Sequence, residues 1–62
     1  MKRNKIIKYI LNNGCVLKRE GGDHTLFMNL FTGKRSAVPR HTEIDDMLCN
    51  TICKQLGIPN IK

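Results

Sequence analysis

The chain is poor in aromatic residues: it has no tryptophan, and Tyr9, Phe27 and Phe31 are the whole set. Sequence-specific recognition of single-stranded nucleic acid leans on bases stacked against aromatic rings, so any such contact made here is expected to have loose sequence preference. Acidic residues are scarce as well, five against eleven Lys and Arg, for a formal charge of +6. An excess of that size on a small surface attracts polyanions, nucleic acid first among them. No apolar run is long enough to span a membrane, and the N-terminal MKRNKIIKYILNN lacks the long apolar core of a signal peptide. The expectation is a soluble cytoplasmic protein with no membrane partner.

Cysteine is also limiting. Cys15, Cys49 and Cys53 are an odd number without a C-x-x-C pair, which argues against a disulfide framework and for reduced core residues. Cys49 and Cys53 would share one helix face, and with His24 or His41 they sketch a zinc site. Structural zinc sites combine a C-x₂₋₄-C pair with a second such pair or H-x₃₋₅-H from another element; an apolar helix face accounts for the thiols, and no metal is expected. A chain of 62 residues buries only about 60% of the surface its unfolded form exposes. That leaves a single domain over residues 1–62, one small core, and no room for a deep cofactor chamber.

What is present is periodic. From Lys2 to Asn13, Ile6, Ile7, Ile10 and Leu11 recur at three- and four-residue spacing, an amphipathic helix that Gly14 ends as a left-handed cap. CVLKRE reads as a strand in which Cys15 and Leu17 alternate with Val16 and Lys18, and Gly21-Gly22 is expected to supply the positive φ angles of a hairpin turn. HTLFMNLF, residues 24–31, follows as a second strand that is apolar on both parities. His24, Leu26, Met28 and Leu30 lie on one face, and Thr25, Phe27 and Phe31 on the other with Asn29, so periodicity leaves the inner face open. Phe27 and Phe31 are expected in or against the core. TGKR turns the chain at Gly33, and SAVP is a third strand that Pro39 ends.

The final stretch, HTEIDDMLCNTICKQLGIP, reads as a helix. Thr42 with Asp45 three residues on gives a capping-box-like start, and Ile44, Leu48, Ile52 and Leu56 form its expected buried ridge, flanked by Met47, Cys49 and Cys53. Gly57 and Pro59 close it. Two helices covering one face of a three-stranded antiparallel sheet make an α+β fold in the order α-β-β-β-α, the dsRBD-like architecture of double-stranded-RNA-binding domains.

Read together, NNGCVLKREGGDHTLF, GKRSAVPRHTEI and ICKQLGIP resemble the HicA (YcfA-like) toxins of bacterial toxin–antitoxin systems. The shared pattern is G-x-H at Gly22-Asp23-His24, V-P-x-H at Val38 to His41, and a helix ending Q-x-G-I at Gln55 to Ile58. The resemblance runs from the first helix to Pro59. It implies a dsRBD-like fold, cofactor-free and metal-independent endoribonuclease cleavage of mRNA (mRNA interferase activity), inhibition by a HicB-type antitoxin, and His24 as the essential histidine. The sequence departs from the pattern in three places: Asp23 stands where many members have serine, Met47-Leu48 where many have Gly-Thr, and Cys15 where many have an aromatic. An acid beside the histidine stabilises the imidazolium and repels a substrate phosphate.

Cleavage without metal needs a base to take the 2′-hydroxyl proton and cations to stabilise the charge that develops at phosphorus. Imidazole suits the base role because its ordinary pKa, about 6.5, lies near working pH. On spacing alone, His24 reads first as a solvated turn residue or the polar end of a strand; the resemblance reverses this in favour of the base, with Gly21, Gly22 and Asp23 as the turn that positions it. Lys18, Arg19, Lys34, Arg35 and Arg40 end or bracket strands and are the candidate RNA-binding strip, or else a basic rim that keeps the protein soluble. His41 is a possible auxiliary group, an acid for the leaving oxygen, a phosphate donor or simply the start of the last helix. The alternative function is a non-catalytic dsRBD-like RNA-binding module, or an inactive toxin homologue.

Overall fold

The computed structural model, which describes residues 1–61, orders its elements as α1 (Arg3–Asn12), β1 (Cys15–Glu20), β2 (His24–Asn29), β3 (Arg35–Pro39) and α2 (Asp46–Leu56). The strands form one antiparallel sheet in the order β1-β2-β3, which is the dsRBD-like layout expected. Both helices lie on one face. Arg3 of α1 donates to Thr25 Oγ1, while in α2 the Leu56 carbonyl accepts from Asn29 Nδ2 and Gln55 Oε1 accepts from Ser36 Oγ.

The inner face of β2 is therefore the Thr25, Phe27, Asn29 parity, all three buried, and His24 heads the open face with half-buried Leu26 and Met28. Two of the three inner residues are polar, which is why alternation could not identify the core side. Their hydrogen bonds to the helices offset the cost of burying them. Phe27 and Val38 from the sheet meet Ile6 and Ile10 from α1 and Cys49, Ile52, Cys53 and Leu56 from α2. All three cysteines are buried and free, and burial pushes the Cys15 and Cys49 thiols above their ordinary pKa. They are packing residues.

Several sequence expectations shift. β2 stops at Asn29, not Phe31, because Asn29 uses its own atoms to turn the chain: Oδ1 accepts from the Phe31 N–H and its carbonyl from the Gly33 N–H, both at 2.8 Å. Phe31 is consequently outside the core, 86% exposed, with its ring lying over Gly14. Among the described residues, positive φ belongs to Gly14, Gly33 and Gly57, so Gly21 and Gly22 do not make a mirror-image turn. α2 begins later than its first acids suggest. Asp45, not Thr42, is the cap, and its carboxylate accepts from the Leu48 N–H. The buried face of the helix is Cys49, Ile52, Cys53 and Leu56. Leu48 is left 38% exposed, and Ile44 enters the core from the segment before the helix.

Candidate functional site

The open face of the sheet is arranged by an irregularity in β1. The strand pairs Cys15 with Asn29, Val16 with Met28 and Leu17 with Phe27, then resumes with Arg19 opposite Leu26 and Glu20 opposite Thr25. Lys18 is thus the extra residue of a β-bulge, which reverses the in–out alternation beyond it. Without the bulge, Arg19 would share the inner face of Leu17. With it, Arg19 moves to the face of His24 and Glu20 turns in toward Thr25.

Across the other ladder, His24 pairs with Pro39, Leu26 with Ala37 and Met28 with Arg35. Directly opposed residues share a face. The open face therefore has a floor of Val16, Leu26, Met28 and Ala37, with Arg19 on one edge strand, Arg35 on the other and His24 at one end. At about 3.3 Å per residue, the row of Arg19 lies roughly 7 Å and that of Arg35 roughly 13 Å from His24 along β2. An imidazole exposed at the end of an open sheet face that also carries two arginines suits a phosphate-bearing chain.

The turn before His24 closes tightly. The Gly21 N–H donates to the His24 carbonyl at 2.8 Å, and a Cβ on Gly21 would stand 2.9 Å from that oxygen. Close approach, rather than an unusual φ, is what glycine provides there. Gly22 has open space around it. Asp23 is exposed, and its carbonyl accepts from the Arg40 N–H at 3.2 Å.

The remaining basic candidates do not gather beside His24. Lys34 lies in the β2–β3 connection at the far end of β2, its side chain against Gly57 at the end of α2. Arg40 faces the helix-covered side, where Nη2 donates to Glu20 Oε1 at 2.8 Å and Nε to the Gly21 carbonyl at 3.1 Å. His41 is exposed just beyond it and stands five residues before α2 begins, away from the helix N-terminus. Of the five expected cations, Arg19 and Arg35 are paired onto the face of the histidine, Lys18 is the unpaired bulge residue beside Arg19, and Lys34 and Arg40 lie elsewhere.

Sequence reading missed Arg3, Glu20 and Thr25. Arg3 Nε donates to the Pro39 carbonyl and Nη2 to Thr25 Oγ1, both at 2.9 Å, and the Thr25 hydroxyl donates to Glu20 Oε1 at 2.8 Å. The Thr25 hydrogen bond holds the Glu20 carboxyl below its ordinary pKa; desolvation opposes this and Arg40 adds to the lowering. Arg3 and Pro39 are 36 positions apart, a separation at which no local spacing rule operates.

Among the described residues, no three His, Cys, Asp or Glu side chains gather as metal ligands, and no helix is long and apolar enough to cross a membrane. A family model described as the HicA toxin of bacterial toxin-antitoxin matches residues 3–58, which takes in all three strands and both helices. No curated protein and no solved structure matches the chain.

Proposed function

The chain belongs to the HicA toxin family of bacterial toxin–antitoxin systems, and we propose that it is a cytoplasmic endoribonuclease that cleaves mRNA without a metal, using His24 as general base. Membership implies a cognate antitoxin. The observation that carries the catalytic reading is the exposed His24 heading the open sheet face, with Arg19 and Arg35 on the same face.

A single RNA strand laid along that face puts a phosphate near the guanidinium of Arg19 when a 2′-hydroxyl is at His24. The imidazole takes the hydroxyl proton, and the oxygen attacks the adjacent phosphorus. The bond to the 5′-oxygen breaks, and that oxygen takes up a proton, for which His41 is the candidate donor. The products are a 2′,3′-cyclic phosphate and a 5′-hydroxyl end. The nucleophile belongs to the substrate, so the protein need supply only a base, a proton and charge stabilisation. A HicB-type antitoxin that covers the open face would block the base and the cations together.

Incubating purified protein with single-stranded RNA in EDTA tests this reading. Cleavage leaving cyclic-phosphate ends is expected, and His24→Ala should lower the rate by about 10²–10⁴-fold with an unchanged unfolding midpoint. RNA left intact by the wild-type protein would point to a binding module. Undiminished cleavage by His24→Ala would remove the base assignment.

A further inference from the structure

The main chain around His24 is held within the sheet by backbone pairing and, from the side opposite its imidazole, by two arginine side chains. Asp23 before it accepts from the Arg40 N–H, Thr25 after it accepts from Arg3 through its hydroxyl, and Pro39 across the ladder accepts from Arg3 Nε. Arg40 also binds Gly21 and Glu20, and Glu20 joins the two arginines by accepting from both Arg40 and Thr25. The side-chain contacts lie on the helix-covered side, where Arg40, Arg3 and Glu20 border a cleft of about 160 Å³ with Ile7, Leu17 and Phe27. The Arg40 side chain is exposed, but its guanidinium is bonded to Gly21 and Glu20 on the face that a strand lying beside His24 does not touch.

We propose that Arg3 and Arg40, joined through Thr25 and Glu20, are positioning residues that fix the strand end carrying His24, and that Arg40 is not a phosphate contact. Resting on His24 as the base, this assigns the network a share in catalysis; the grip on the turn itself stands apart from that reading. The arrangement ties α1 to the β1–β2 turn and to the end of β3, so a shift of any of the three would move the imidazole. The fork of Arg40 matters because two separate nitrogens reach a carbonyl and a carboxylate, a spread that the single nitrogen of a lysine ammonium does not reproduce.

The test compares Arg40→Ala, Arg40→Lys and Glu20→Gln in the full chain by amide hydrogen exchange and by RNA cleavage in EDTA. An exposed charge-assisted contact closes a local opening by up to about fivefold, so Arg40→Ala should speed exchange of the Gly21 amide by a factor of that order while the Phe27 amide in the core is unchanged. A base displaced by about 1 Å loses on the order of 10²-fold in rate, so kcat should fall toward that limit while KM stays near its wild-type value. Arg40→Lys should restore neither. The proposal is overturned if Arg40→Ala raises KM, flattens the salt dependence and leaves kcat and Gly21 exchange unaltered, the pattern of a lost phosphate contact. If Arg40→Ala does not fold, Glu20→Gln decides: faster Gly21 exchange supports the network, and a lowered KM with unchanged exchange, from a freed Arg40, overturns it. Should His24→Ala prove as active as wild type, the base assignment fails and the exchange data still decide the grip on the turn.

Discussion

At the residue scale, the two glycines before His24 separate by what surrounds them. The doublet reads as a turn from the sequence alone, and it is one, but the physical reason differs from the expected one. Gly21 is confined by the His24 carbonyl, 2.9 Å from where a Cβ would stand, while Gly22 faces open space and neither has positive φ. Gly21→Ala must push against backbone and loosen the Gly21–His24 hydrogen bond, at a cost of about 1–3 kcal/mol. Gly22→Ala meets nothing and restricts the unfolded chain, so it should be neutral or stabilising by up to about 1 kcal/mol. Urea unfolding of the two variants measures the difference, and equal destabilisation would show that both glycines serve the turn alike. Arg3 marks the other limit of sequence reading: its partners Thr25 and Pro39 are brought to it only by the fold.

At the element scale, the order of helices and strands was legible because each carries its own period and its own stops, while its boundaries depended on competing local hydrogen bonds. Two residues of similar capping type, Thr42 and Asp45, precede α2. Asp45 wins because its carboxylate reaches the Leu48 N–H, and the Thr42 carbonyl is instead taken by the Arg3 N–H of α1. Asp45→Ala should therefore cost about 0.5–2 kcal/mol of stability, toward the low end given the 3.4 Å separation, whereas Thr42→Ala should change little. Thermal unfolding of the pair tests which residue begins the helix. The bulge at Lys18 had no signature in CVLKRE, since simple alternation fits those six residues equally well. Yet that one extra residue decides that Arg19 and not Glu20 stands on the face of His24.

At the scale of the whole molecule, the net charge of +6 points to a polyanion but not to where one binds. The fold narrows this. Glu20 and Glu43 pair with Arg40 and Lys2, while Arg19 and Arg35 border the open face and Lys5 and Lys8 ride on α1, part of the helix layer that covers the other side. If a single strand runs along the open face, each phosphate neutralised contributes a log–log salt slope of roughly −0.7. Arg19→Ala and Arg35→Ala should each make that slope shallower by about this amount and weaken binding to different RNA sequences alike, because phosphate contacts carry no base identity. Lys5→Ala and Lys8→Ala remove the same unit of charge from the opposite side of the molecule and should leave the slope where it is, with only a small change in affinity from the reduced long-range field. Titrating labelled single-stranded RNA against the His24→Ala protein, at salt concentrations from 50 to 200 mM by order of magnitude, keeps the substrate intact during the measurement. Equal losses from all four variants would mean that the charge acts as a diffuse cloud and that the sheet face is not the track.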